Sequence, residues 1–283
     1  RLRNEIVSTV VANKIVNRMG MVHPFELAEE EGTALEHVAA AFVGASRLLG
    51  VDAIWEAIET TQMPEGARIQ LFERTASALR GHMADLLRAG GATRSPSQLV
   101  GDVAPGVAEL VDHVDELLAK EARSHAEAIA VDLMDAGAPS KIAAMVAQLF
   151  AVDGAIGLAR LARDTGVPPI RLTHAFGDLG ERLGLDWAQQ KASVMVPSDP
   201  WERLLVAGVA RDFQQMRFEF LRGLAKGKRG KENPLARIEE WATRHAIEID
   251  QFRTMIGRAQ GAAPLSPAML AQIASQARNL LQR

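Results

Sequence analysis

Apolar residues recur at helical spacing along almost the whole chain. Val7, Val11 and Ile15 stand four residues apart, so they share one face of a helix, and Gly20 follows where such a helix should end. Alternating apolar and polar positions, which mark a half-buried strand, are hard to find over any length. The pattern therefore predicts an all-α protein, built as a multi-helix array or bundle.

The residues between the apolar segments predict where the helices begin and end. Residues 69–89, 107–136 and 201–224 have the pattern of long helices. Capping side chains stand before a proline at four expected helix starts: Ser95, Asp199, Asn233 and Ser266. Residues 89–97 and 226–234 are predicted to be loops, because glycine, proline and small polar residues are concentrated there.

Two shorter helices are predicted near the N-terminus. The first starts near Pro24 and ends at Gly32, and the second runs to Leu49 with Gly50 after it. Thr33 and Glu36 stand three residues apart at the start of the second helix. This spacing predicts a capping box, in which each side chain accepts a hydrogen bond from the backbone amide of the other residue.

The segment from residue 27 to residue 52 occurs a second time, 134 residues later, at residues 161–186. The two copies align without gaps and are identical at 8 of 26 positions, where chance would give roughly two. We therefore expect an internally duplicated unit, in which a short helix pair is followed by a long-helix hairpin. The expected organisation is a connecting helix over residues 1–22, a first half over 23–152 and a second half over 153–283. The two halves should pack together, because a short helix pair is too small to bury its own apolar side.

Composition limits the classes of function. The chain has 283 residues, of which 48% are hydrophobic and 24% charged, with a net charge of −3 and no cysteine. It is therefore expected to be a globular protein with no overall basic field for nucleic acid or anionic membranes. The absence of cysteine excludes thiol catalysis and fits a reducing cytoplasm. No apolar run approaches the roughly 20 residues of a membrane helix.

The repeated segment has the outline of a helix-turn-helix DNA reader, but its charges do not fit that function. A recognition helix needs basic or amide side chains in its first turns. The first copy carries five acidic residues against Arg47 alone, and the second has a net charge of −1 with only Arg171 well placed. Nucleic-acid binding is therefore disfavoured, and a compact way of packing two helices on a third is the preferred interpretation.

Other candidate sites are weak. Residues 154–162 contain two glycines but follow no strand, so they do not form a dinucleotide loop. Asp112 and Glu116 would lie four apart on a helix beside His113, which is more typical of a solvated face than of a metal site. The remaining histidines considered as ligands stand apart along the chain: His37, His82, His174 and His245. No catalytic, cofactor-binding or metal-binding residue is therefore predicted.

Two further features have structural explanations. Trp55 and Trp187 each follow a repeated Gly-x-Asp and are expected to anchor a short helix in the core. The basic positions of the second loop could meet an acidic partner or a phosphate, but their glycine neighbours favour a solvated, flexible loop. These basic residues are Lys226, Lys228, Arg229 and Lys231.

The opening of the chain resembles the segment after the catalytic domain in the large bacterial NAD-dependent glutamate dehydrogenases. The pattern L-R-x-E-I, then N-x-x-V-N-R-x-G, is matched by Leu2, Arg3, Glu5, Ile6, Asn13, Val16, Asn17, Arg18 and Gly20. An E-x-G-[AT] element and an L-G-x-x-x-x-W element follow, as they do in that family. The match is specific over residues 2–59, and from there to the end it is one of helical organisation only.

This resemblance implies a non-catalytic C-terminal helical domain of a bacterial, cytoplasmic and oligomeric enzyme. The parent would oxidise L-glutamate to 2-oxoglutarate and ammonia with NAD, and its NAD domain and substrate-binding residues would lie upstream. A chain that starts at Arg1 in the middle of a helical pattern fits a piece of such a protein. The implied roles are packing on the upstream catalytic domain of the same chain, assembly of a homo-oligomer, or regulation.

Two alternatives remain at this point. A tandem helix-turn-helix protein would retard duplex DNA in a salt-sensitive way. A separate helical adaptor would present a groove for a peptide or a helix.

Overall fold

The structure is a computed structural model that describes residues 2–90, 96–117, 120–225, 233–262 and 264–283. Within these ranges every regular element is a helix and no strand occurs. The predicted all-α class is therefore confirmed. The chain divides into two compact units, Arg1–Arg160 and Leu161–Arg283. The boundary falls inside a helix, and the predicted halves 23–152 and 153–283 stay a prediction.

Nine helices of the described residues lie in the first unit, and a tenth runs across the boundary. They are α1 Leu2–Met19, α2 Val22–Glu31, α3 Leu35–Leu48, α4 Val51–Thr60, α5 Glu65–Gly90, α6 Pro96–Asp112, α7 Val114–Leu117, α8 Lys120–Asp135, α9 Ser140–Ala151 and α10 Ala155–Thr165. Helix α3 packs on α5 and α6, and α8 packs on α9. The core between them contains the fully buried side chains of Phe42, Leu79 and Met83.

The described part of the second unit contains six further helices. They are α11 Pro169–Leu183, α12 Leu185–Ser193, α13 Pro200–Leu224, α14 Pro234–Arg244, α15 Ala246–Gln260 and α16 Pro267–Leu281. Helix α13 lies against α12 and α16, and α11 lies against α14. Phe213 and Leu221 of α13 are buried in this core.

Most of the predicted helix ends are confirmed. Gly32 and Gly50 have left-handed backbone angles, with φ of 59° and 61°, which residues with a side chain rarely adopt. Asp199, Asn233 and Ser266 each accept a hydrogen bond from a backbone amide in the first turn of the helix that follows. Ser95 lies outside the described residues. The long helices predicted over 69–89 and 201–224 are present as α5 and α13.

The predicted capping box is wrong. Ala34 has an extended backbone, with φ −76° and ψ 150°, so α3 begins one turn position later than the pattern indicated. Thr33 therefore lies outside the helix, and no side chain caps α3. Its Oγ1 instead lies 3.1 Å from Nδ1 of His37, four residues along the chain.

The single long helix predicted over 107–136 is also wrong, because α6 ends at Asp112 and α7 begins at Val114. The Nδ1 atom of His113 donates to the carbonyl of Glu109, at 2.9 Å. A side chain that takes the carbonyl four residues back competes with the helical hydrogen bond. Consequently Asp112 and Glu116 do not share the continuous helix face on which the weak metal site was considered.

The predicted loops are only partly described. Ala89 and Gly90 belong to α5 and Pro96 begins α6, so the first loop is shorter than residues 89–97. Residues 91–95 lie outside the described residues. The basic positions Lys226, Lys228, Arg229 and Lys231 also lie outside them.

Several helix bounds correspond at the spacing of 134 residues that relates the two sequence copies. Helices α3 and α4 start that far before α11 and α12, and α2 and α5 end that far before α10 and α13. Gly20, Gly32 and Gly50 have positive φ, and so do the glycines that correspond to them. This agreement is what the predicted duplication requires, and the duplication itself stays a prediction.

Candidate functional site

The candidate phosphate loop lies between two helices. Gly154 turns the chain with a φ of 79° and the rest of residues 154–162 begin α10, so the segment has the geometry of a helix turn. Among the described residues, no group of three or more His, Cys, Asp or Glu side chains could hold a metal ion. The first turn of α3, where a DNA reader needs cations, exposes Leu35, Glu36 and His37.

His82 of α5 is buried in the core of the first unit. Its Nε2 lies 2.8 Å from the carbonyl oxygen of Leu149, to which it donates, and its Nδ1 has no hydrogen-bond partner in the described structure. Burial lowers the pKa of His82 below its ordinary value of 6.5, although the field of Asp153 and the bond to Leu149 act in the opposite direction. His82 is therefore a neutral donor that joins α5 to α9. The sequence separation of 67 residues gives no local signal for this contact.

Two buried ion pairs hold α2 against α5. Arg88 binds the carboxylate of Glu31 with two nitrogens, at distances of 2.5 to 3.1 Å, and Arg80 pairs with Glu30. Burial opposes the charge on Arg88, but its bonds to Glu31 and the field of Asp85 raise its pKa above the ordinary value. A fork-shaped pair of this kind fixes direction as well as distance. Two of the acidic residues counted against DNA binding are thus used to orient α2.

The opposite side of α2 presents apolar side chains to solvent. Met21, Val22 and Phe25, which we call the junction patch, are all more than 60% exposed, while Pro24 and Leu27 on the other side of α2 are buried. A surface helix normally keeps one polar face. A helix that is apolar on both sides is incompletely covered, so the junction patch is a candidate contact surface.

Neighbouring side chains support the same region. Arg18 pairs with Glu59 and lies over the ring of Trp55, 5.4 Å from its centroid. Trp55 is fully buried and stacks on Phe72 at 5.3 Å. The predicted anchoring role of Trp55 is therefore confirmed, whereas Trp187 is half-buried.

A buried arginine organises the second unit. Arg217 of α13 is 1% exposed and donates to Oδ1 of Asp186 at 2.5 Å, to the carbonyl of Phe213 at 3.2 Å and to Gln189. Its guanidinium also lies over the ring of Phe176, 3.8 Å from the centroid. The second carboxylate oxygen of Asp186 has no hydrogen-bond partner in the described residues. This cluster ties α11, α12 and α13 together.

The first unit uses its copy of this aspartate differently. Asp52, which aligns with Asp186, has an exposed side chain and pairs with Lys14 at 2.7 Å. Met83 stands 134 residues before Arg217, so the first unit has no buried cation at that position. Sequence reasoning missed the Arg217 cluster, because a single arginine in a helix does not show which carboxylate it contacts.

A second apolar surface lies at the start of α13. Trp201 is 81% exposed and Val196 is 87% exposed, and Val194 and Leu205 are exposed beside them along the chain. Exposed tryptophan is uncommon, since aromatic side chains contribute most when they are covered. We call these four residues the α13 patch.

None of the described helices is long and apolar enough to cross a membrane alone. Two bent pairs of consecutive helices, α3 with α4 and α9 with α10, reach that length and composition when they are counted together. Their apolar side chains include many of the buried core residues of the first unit.

The arrangement brings together buried ion pairs, a buried histidine and two apolar surface patches. It positions helices and presents surfaces for contact. The chain matches the family described as "Glutamate dehydrogenase, C-terminal" over residues 1–279.

Relatives with curated names show the same similarity. The chain is 26% identical to the NAD-specific glutamate dehydrogenase of Halomonas elongata over 94% of its length. It is 24% identical to that of Pseudomonas aeruginosa over 96% and 22% identical to that of Mycobacterium tuberculosis over 99%. In each case the match spans only 17% of the relative.

Proposed function

Because the chain belongs to the family of glutamate dehydrogenase C-terminal domains, we propose that it is the non-catalytic helical domain of a longer NAD-dependent enzyme. The observation that carries this proposal is the match over residues 1–279 to a family defined by that position in the enzyme. Its work is to pack on the rest of the chain, to support subunit assembly, or to transmit regulation between them.

The proposed parent enzyme oxidises L-glutamate to 2-oxoglutarate and ammonia and reduces NAD. The names of the relatives support this activity. The NAD site and the reacting groups are proposed to lie in the part of the long chain outside this match. We assign no catalytic or cofactor-binding residue to these 283 residues, and place the enzyme in the cytoplasm, which a cysteine-free chain fits.

The junction patch is the surface that we assign to packing on the rest of the same chain. The relatives extend far beyond the matched segment, so a large polypeptide is available to cover it. The buried pairs of Arg80 and Arg88 hold α2 in one orientation, which keeps Val22 and Phe25 directed outward. A preformed apolar surface loses little conformational entropy when it is covered.

Hydrogen exchange in the full-length enzyme and in the isolated 283-residue chain tests this assignment. Backbone amides of residues 21–26 should exchange more slowly in the full-length enzyme, because the covered surface opens less often. The start of α15, where Ile247 is 74% exposed, is the matched control and should exchange alike in both. Equal exchange at residues 21–26 would remove the patch from the interface.

Activity measurements test the non-catalytic role directly. The isolated chain should show no glutamate-dependent reduction of NAD, whereas the full-length enzyme should. Turnover by the 283 residues alone would contradict the proposal.

We also propose that the parent enzyme is a homo-oligomer and that the α13 patch meets another subunit. The high exposure of Trp201 and Val196 supports this assignment, because tryptophan and other aromatic residues are enriched at the centres of protein interfaces. Native mass spectrometry of the full-length enzyme with Trp201→Ser should show a lower oligomer mass than the unsubstituted enzyme. An unchanged mass distribution at all protein concentrations would exclude this surface.

A further inference from the structure

The second unit contains an open cavity of about 290 Å³. Side chains from α13, α14 and α16 line it, and its wall includes Phe220, Trp241 and Leu281. An apolar cavity of about 150 Å³ already holds a benzene molecule, and small-molecule sites start near 300 Å³. The space is therefore large enough for one ring or a branched chain with a polar group attached.

The wall carries a polar atom that has no partner. Trp241 is 4% exposed, and its indole nitrogen Nε1 is buried without a hydrogen-bond partner in the described part of the chain. Its ring packs edge-on against Phe220, with centroids 4.9 Å apart. Buried indole N–H groups ordinarily donate to an acceptor, so the cavity lacks the acceptor that this wall is suited to bind.

Two arginines also line the cavity. Arg278 pairs with Asp212 through Nη2, at 2.8 Å, and Arg283 pairs with Glu248 through Nη1, at 3.2 Å. A guanidinium has five N–H donors in a fixed plane, and each pair occupies one nitrogen. Both arginines are thus held in place by their carboxylates while further N–H groups remain for a bound anion.

We propose that this cavity binds a small carboxylate with an apolar body of about one ring. The apolar body lies against Phe220 and Leu281, and the carboxylate accepts hydrogen bonds from the Trp241 indole and the rim arginines. Such a site would be separate from the NAD and glutamate sites that the family implies for the rest of the enzyme. Its existence does not depend on the proposed packing of the junction patch.

Gly223 offers a way to block the cavity without disturbing the core. It lines the cavity on α13, and a Cβ placed there meets no atom within 4 Å. Gly223→Leu therefore places a side chain in open space and also favours the helix. Gly257 of α15 is equally open and does not line the cavity, so Gly257→Leu is the matched control.

Titration of the 283-residue chain with phenylacetate tests the proposal, with the indole ¹H–¹⁵N signals of the four tryptophans as the readout. The Trp241 signal, assigned with Trp241→Phe, should shift and saturate in the millimolar range. Gly223→Leu should weaken the apparent affinity by about tenfold or more, and Gly257→Leu should leave it unchanged. Circular dichroism confirms that each variant is folded before its titration is compared.

A neutral analogue separates the two parts of the proposal. Phenylacetamide should bind about tenfold more weakly than phenylacetate, because it lacks the charge that the arginines attract. Equal binding of the two would overturn the carboxylate assignment. A Trp241 signal that does not saturate, or that responds equally in Gly223→Leu, would overturn the site.

Discussion

The Arg217 cluster gives the sharpest test of what holds the second unit together. Arg217 is buried and its charge is balanced by Asp186, whose Oδ1 lies 2.5 Å from the guanidinium. In Asp186→Ala the guanidinium stays buried but faces only neutral partners. The remaining contacts are the Phe213 carbonyl, the Gln189 amide and the ring of Phe176.

The expected cost can be worked from these contacts. Removing one partner of a buried ion pair costs about 3–5 kcal/mol in the free energy of unfolding. The ring of Phe176, 3.8 Å away, still stabilises the cation, by about 1–2 kcal/mol in such geometry. We therefore expect Asp186→Ala to cost about 3 kcal/mol, at the lower end of that range.

A double-mutant cycle separates the pair from its surroundings. Arg217→Met removes the buried charge, and Asp186, whose side chain is 19% exposed, keeps some contact with water. The double variant should cost less than the sum of the single variants by about 1.5–3 kcal/mol, because neither charge is then left alone.

Denaturant unfolding, followed by circular dichroism and by the fluorescence of Trp187, Trp201 and Trp241, measures these costs. Asp178→Ala is the control, since Asp178 and Arg182 form a partly exposed pair on α11, at 2.7 Å. It should cost less than about 1 kcal/mol. A cost for Asp186→Ala no larger than that of the control, or additive single variants, would refute the buried-pair reasoning.

Three further substitutions have expected outcomes. Gly180→Ala should destabilise the chain by about 1–3 kcal/mol, because a Cβ there overlaps the Asp186 carboxylate, and thermal unfolding should show this cost vanish in the Asp186→Ala background. The lowered pKa of His82 means that the unfolded chain binds more protons, so stability should fall as the pH drops below about 6.5. His82→Gln should flatten that pH dependence in urea titrations, and an unchanged slope would remove His82 as its source. Glu31→Gln should cost about 3 kcal/mol or more, since it leaves the largely buried Arg88 without its closest carboxylate, and native-state hydrogen exchange should show faster opening of α2 than of α8.

Local signals predicted many helix ends. Asp199 and Asn233 accept hydrogen bonds from amides two or three residues away, so the sequence contains both partners within one turn. Gly32 and Gly50 likewise act on their own backbone. The capping box at Thr33 failed by one residue, because the extended backbone of Ala34 moved the helix start.

Contacts between distant segments could not be predicted in the same way. Arg217 and Asp186 are 31 residues apart, and Arg88 and Glu31 are 57 apart. Which carboxylate each arginine meets depends on how the helices pack, and periodicity gives only the buried face of each helix. The break at His113 was also missed, since a side chain that competes for its own helix carbonyl has no distinctive spacing.

The function was predicted by another route. Charge and composition disfavoured a DNA reader, but the family came from the motif that contains Arg3, Asn13, Asn17 and Gly20. The match to residues 1–279 confirms that family. The structure adds the surfaces on which the domain could act, which no motif indicated.

The opposite placements of Asp52 and Asp186 make the two units non-interchangeable. A graft of α11 and α12 in place of α3 and α4 would carry an inward-facing aspartate to a position where Met83 offers only a thioether. The reverse graft would bring Ser46 where Gly180 now leaves room, and it would crowd the carboxylate that Arg217 needs. If one ancestral segment gave rise to both, a single arginine in α13 has since committed each descendant to its own half of the molecule.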